Sequence, residues 1–138
     1  MNGPLELAFF IDRDLGLRFS NALRSAGLHV ERADDHFRND TPDDEWLPVV
    51  ARHGWVAVTR DGRIRYSPLA LAALMTSGAR LFVIVGKLTA DETAAVFLRQ
   101  RKKIERLIAR NPAAFIAKIR RDGVTVWLGH KEWSRRGR

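Results

Sequence analysis

The 138-residue chain has no cysteine, which excludes disulfides and thiolate metal sites at once. It has no unbroken apolar run of about eighteen residues, so nothing in it reads as a membrane span. The opening stretch MNGPLELAFFIDRD meets acids early and lacks a basic leader, so no signal peptide is expected and the chain is placed in the cytoplasm. Histidine is scarce: His29, His36, His53 and His130 show neither HExxH nor zinc-finger spacing. A metal bound here would therefore be held by oxygen. No internal repeat or linker divides the chain, and 46% apolar with 29% charged residues is the content of one ordinary globular domain.

What is present is unevenly spread. Residues 1–61 hold 7 Lys/Arg against 11 Asp/Glu, a balance of −4, whereas residues 62–138 hold 17 against 5, a balance of +12. An acid cluster attracts hard cations and a basic surface attracts polyanions, so the asymmetry suits a phosphate-bearing partner met by a metal.

Hydrophobic periodicity alternates between two templates. LELAFFI at 5–11 is a near-continuous apolar run too short for a helix, the pattern of a strand covered on both faces. Residues 14–26 place Leu15, Phe19, Ala22, Leu23 and Ala26 on one helical stripe, with Gly27 as its stop. LHVERA returns as a strand, 43–53 repeats the amphipathic pattern up to Gly54, and WVAVT at 55–59 is a third strand. A helix at 67–77, a strand RLFVIV at 80–85 and a long helix at 90–110 follow. Pro112 should break that helix, leaving AAFIAKIRR as a further helical stretch before a last strand, VTVWL at 124–128. The alternation predicts an α/β fold with three α/β/α layers around a mostly parallel sheet of about five strands. This domain is expected over 1–129, with HKEWSRRGR at 130–138 as a basic flexible tail.

In open α/β sheets, sites form outside the carboxyl ends of the strands. Asp12 and Asp14 follow the first strand immediately, and Asp61 follows the third, two residues after Thr59. Asp43, Asp44 and Glu45 open the helix leading into that third strand, and they join the others if the loop at 33–42 crosses the same edge. Ordinary structural roles exist for most of them: Asp61 before Gly62 is turn chemistry, while Asp43 and Asp14 are placed to cap helices. Asp12 is harder to explain that way, since it directly follows the apolar run and its neighbouring cations are Arg13 and Arg60. Crowded carboxylates raise one another's pKa unless a cation neutralises them.

FFIDRDLG, DTPDDEWLPVVARHGWVAVTRDGRI and RLFVIVGKLTADE together resemble the PIN-like nucleases, which include the VapC-type toxins of bacterial toxin–antitoxin pairs. The resemblance implies a Mg²⁺- or Mn²⁺-dependent endoribonuclease acting on single-stranded or structured RNA, with a cognate antitoxin as partner. It places the catalytic acids at Asp12, Asp43 and Asp61, the last closing a T-x-D whose threonine is Thr59. Longer members carry a fourth acid shortly beyond that motif. Here the stretch GRIRYSPLALAAL has none, and Asp14, Asp44 or Glu45 are the acids at hand to replace it.

On this reading Asp12 and Asp61 ligate the metal, Asp43 joins directly or through water, and Asp14 and Asp44 are further ligand candidates. Arg60, Arg63, Arg65 and Lys87 are expected to hold phosphates, with Arg99, Lys102, Lys103 and Arg106 extending RNA contact along the 90–110 helix. Phe97, Leu98, Ile104, Leu107 and Ile108 of that helix form a core or homodimer stripe. Tyr66 and Trp133 are the stacking candidates, whereas Trp46, Trp55 and Trp127 read as core.

Two other classes share parts of the pattern. A phosphoacceptor receiver domain also carries an acid pair after strand one, an Asp after strand three and a later lysine, here Lys87. The long acidic loop at 34–45 and the strongly basic second half fit it poorly. A non-catalytic nucleic-acid or antitoxin-binding module would bind without metal and without cleavage.

Overall fold

The computed structural model describes residues 7–136. Leu5 and Glu6 of the first expected strand and the last two residues of the expected tail lie outside the described residues. The first strand, β1 (Ala8–Ile11), leads through a 3₁₀ turn into α1 (Gly16–Ser25), then β2 (His29–Arg32) and a short α2 (Ala33–His36). After a loop, α3 (Asp43–Arg52) feeds β3 (Val56–Thr59), followed by a second 3₁₀ turn, α4 (Pro68–Ser77) and β4 (Arg80–Ile84). The rest of the chain forms α5 (Ala90–Arg99), α6 (Arg101–Arg110), β5 (Phe115–Arg120), β6 (Gly123–Gly129) and α7 (His130–Arg136).

The strands form one sheet in the order β2-β1-β3-β4-β5-β6, parallel except for β6. Alternate residues face two cores. Phe9, Ile11, Val56, Phe82 and Ala117 meet Phe19 and Leu23 of α1, Phe97 of α5 and Ile104 of α6. Phe10, Ala57, Leu81 and Ile116 meet Trp46 and Leu47 of α3 and Leu74 of α4 on the other face. Both faces are covered, which is why β1 reads as an uninterrupted apolar run.

The expected alternation is present, with three corrections at its C-terminal end. AAFIAKIRR is not helical: its middle is β5, paired with β4 and β6, so the sheet has six strands. A short apolar run buried on both sides has no periodicity that separates strand from helix. The expected long helix is broken at Gln100, a buried residue whose Nε2 donates to the carbonyls of Arg120 (3.0 Å) and Arg121 (2.8 Å) at the turn after β5. Finally, the segment expected as a polar tail is helical from His130 to Arg136, and its single large apolar residue, Trp133, packs against the α3–α4 core.

Candidate active site

The strand order makes β1 and β3 the switch point of the sheet, where successive connections leave in opposite directions and open α/β folds bind their ligands. Asp12 emerges there. Its N–H still donates to Val58 O at 3.0 Å, extending the ladder one residue beyond β1. One carboxylate oxygen caps the following turn, accepting from Arg13 N at 2.8 Å; the other accepts from the Thr59 hydroxyl, also at 2.8 Å. Thr59, the fully buried last residue of β3, also reaches Asp14 Oδ2 at 3.2 Å and accepts the N–H of Asp61 at 3.0 Å. The Arg60 backbone N–H lies 3.1 Å from the same Asp14 oxygen. One side chain thus ties three acids together. A hydroxyl carries a single proton, so Thr59 serves Asp12 and Asp14 only by sharing it.

The acids differ in charge balance. Desolvation, followed by the charge of Asp12, pushes the Asp14 carboxyl from the ordinary 3.8 up to about 6, against the hydrogen bonds from Arg60 and Thr59. Asp43, the first residue of α3, is also raised: burial is the largest cause, the Trp46 hydrogen bond opposes it, and the charges of Asp12 and Asp61 add to it. Asp43 does not cap its helix, as its position suggested it would; Pro42 occupies the cap. Its Oδ1 instead accepts the Trp46 indole N–H at 2.9 Å. Trp46 is buried and stacks on Phe10 with ring centroids 5.3 Å apart, so a core residue aims this carboxylate. Asp61 is lowered, chiefly by Arg63, whose Nε and Nη2 each donate to a different carboxylate oxygen at 2.9 Å.

The other cations near the acids are directed elsewhere. Arg13 pairs with Asp34 and donates to Phe37 O. The Arg60 guanidinium lies 3.4 Å from Leu88 O and 3.5 Å from Gly86 O. Lys87 is exposed on the loop after β4, and Arg65 lies against the rings of Tyr66 and Trp127. Arg99 and Lys103 are exposed on α5 and α6, helices that pack on the same face of the sheet as α1. Asp44 adds to the charge felt by Asp43, while Glu45 is exposed.

Among the described residues, no group of three or more His, Asp or Glu side chains is arranged to hold an ion as it stands. The donor chemistry nevertheless fits a hard divalent cation. Burial, with the charges of neighbouring acids adding to it, raises Asp14 and Asp43; a bound cation would offset both effects, and Mg²⁺ and Mn²⁺ prefer oxygen donors. A larger cleft of about 960 Å³ lies apart from these acids, beside Leu28, Arg80 and Ile108; its Glu105 is already matched by Arg101 at 3.1 Å.

Sequence reasoning missed two residues that reach this edge of the sheet. Lys118 lay in the stretch read as helix, and Trp127, read as core, does pack on the α3–α4 core but stays half-buried. A lysine inside an apolar run was the available signal for the first.

Residues 7–86 match the PIN like domain family, and the chain belongs to it. The match spans β1 to β4 and includes Asp12, Asp14, Asp43, Thr59 and Asp61. A protein of Mycobacterium tuberculosis (strain ATCC 25618 / H37Rv) named "Putative ribonuclease VapC45" is 29% identical over 113 residues, a region covering 78% of this chain and 81% of that protein. No solved structure matches the chain.

Proposed function

We propose that the protein is an endoribonuclease that uses Mg²⁺ or Mn²⁺ to cleave single-stranded RNA, acting in the cytoplasm as the toxin of a toxin–antitoxin pair. The observation that carries this reading is the crowding of Asp12, Asp14, Asp43 and Asp61 at the switch point of a PIN-like fold, with Arg13 and Arg60 directed elsewhere. The likeness to a protein named as a ribonuclease supports it.

In this reading Asp12 and Asp61 hold the ion, with Asp43 and Asp14 completing the set directly or through water. Bound there, the ion lowers the pKa of water and offsets the charge that develops on the phosphoryl oxygens. The chain's own side chains prepare the place. Thr59 keeps Asp12 and Asp14 turned toward one space, and Trp46 holds Asp43. Asp61, paired here with Arg63, would be a ligand of the ion, and Arg63 with Arg60, Arg65 and Lys87 would meet the strand's phosphates. Arg99 and Lys103 are left to flanking RNA. An acidic antitoxin surface is the natural complement of the +12 half.

The test is a gel assay of purified protein on a broad RNA panel with Mn²⁺, with EDTA and with Asp61→Asn, beside a thermal melt. Cleavage should need the metal and fall by at least about a hundredfold in the folded variant. Cleavage persisting in that variant would place the chemistry elsewhere. RNA bound without metal and left intact across the panel would favour a non-catalytic module.

A further inference from the structure

The register of β6 is irregular at one place. Ile116 pairs with Leu128 and Ala117 with Val126, so Trp127 is the extra residue of a bulge. Bulges break the alternation of side chains and, beside active sites, re-aim one of them. Here Trp127 packs toward the same core as Leu128, and its six-membered ring lies 3.7 Å from where a Cβ on Gly62 would stand. Gly62 directly follows Asp61, so the indole lies beside the chain one residue beyond that acid.

Cations and a second ring surround it. Lys118 occupies the same row across the sheet as Val83 and Thr59, with Nζ 3.8 Å from the Trp127 ring centroid. The Arg65 guanidinium carbon lies 5.6 Å from the Trp127 ring and 5.4 Å from that of Tyr66, while its Nε is buried without a partner. Tyr66 meets Trp127 edge-on at 5.8 Å yet is 72% exposed. Beside them opens a groove of about 430 Å³, lined by Arg65, Tyr66, Leu71, Trp133 and Arg136 among others.

We propose that this is a nucleobase-stacking subsite, which takes an unpaired base of single-stranded RNA next to the scissile phosphate. The inference rests on the RNA-cleaving reading above and adds where the strand lies. An exposed phenol ring offers a base its π face, and the adjoining indole extends the aromatic wall. Arg65, Lys118 and Arg136 supply charge for the neighbouring phosphates. The platform reaches Gly62, the residue after Asp61, so a strand whose phosphate meets Asp61 can lay the next base on Tyr66.

The experiment uses the full chain carrying Asp12→Asn to block cleavage, and short single-stranded RNAs in which one abasic position is moved along the strand. Loss of the base at one position should weaken binding about tenfold. In a Tyr66→Ala background the intact strand should bind as weakly as that abasic strand, and the positional effect should vanish; Tyr66→Phe, which keeps the ring, should restore it. Tyr66 is exposed enough that its replacement leaves the fold intact, as a melt would verify. An abasic profile unchanged by Tyr66→Ala overturns the subsite, even where the parent protein cleaves RNA. A positional effect that vanishes in Tyr66→Ala, in a protein whose parent cuts nothing, overturns the nuclease reading alone, and no RNA binding at all overturns both. If Tyr66→Ala spares RNA affinity and instead abolishes antitoxin binding, the face is a protein-docking surface and the proposal falls.

Discussion

Asp14 is the acid whose charge the fold tolerates least. Its carboxyl titrates near 3.8 in ordinary surroundings and near 6 in the folded protein, so the native state keeps the proton longer and ionisation costs stability. That cost is absent below about pH 3.8 and fully present above about pH 6. Without metal, Asp14→Asn should therefore melt higher than the parent at neutral pH, with the advantage shrinking as the pH approaches 4; melts at both pH values would show it. Asp61 behaves oppositely. Arg63 holds its pKa below the ordinary value, so its contribution is present at neutral pH and fades as the pH falls through its folded pKa. Because Arg63 is exposed, that contribution is small, and Asp61→Asn relieves less repulsion than crowding in the sequence suggested. Trp46→Phe keeps a ring stacked on Phe10 but removes the donor to Asp43. It should push Asp43 further up and weaken Mn²⁺ binding, measurable by calorimetric titration; unchanged affinity would remove Asp43 from the ligand set.

At the scale of elements, Gln100 is where the helical layer is fastened to the β5–β6 hairpin. Its amide bonds two carbonyls belonging to exposed residues, so water partly replaces it when it is removed. Gln100→Ala should cost about 1–2 kcal/mol, lowering the urea midpoint with little change in slope. Most elements were legible in the sequence because amphipathic stripes and apolar runs bounded by glycine are local signals: α1, β3 and β4 lie close to where periodicity puts them. The failures share a cause. β5, the break at Gln100 and the helical C-terminal segment each depend on a partner distant in sequence, namely β4, the turn at Arg120 and the core under Trp133.

Across the whole molecule, the acidic first half and basic second half predict two opposite responses to ions. RNA affinity of the cleavage-blocked Asp12→Asn protein should fall with monovalent salt, on the order of fiftyfold between about 50 and 200 mM if about four phosphates are contacted. A flat response would exclude the basic surface as the RNA-binding face. Mn²⁺ should instead stabilise the parent, by about 2.7 kcal/mol at a hundred times its dissociation constant, and EDTA should reverse the effect. Asp12→Asn should lose most of that gain in a melt, since it removes a proposed ligand.

The sequence by itself determined that acids end β1 and β3, that a T-x-D closes β3, and that strands and helices alternate so that those ends share an edge. These follow from local rules: burial periodicity, turn chemistry and right-handed crossovers. The tertiary structure decided which charges meet. It let one threonine hydroxyl serve Asp12 and Asp14, turned Arg13 to Asp34, set Arg63 on Asp61, and swung Trp127 through a bulge beside Gly62. Side-chain direction at a strand end depends on register with neighbouring strands and on the rotamers their packing permits, and both are set by residues far away in the chain.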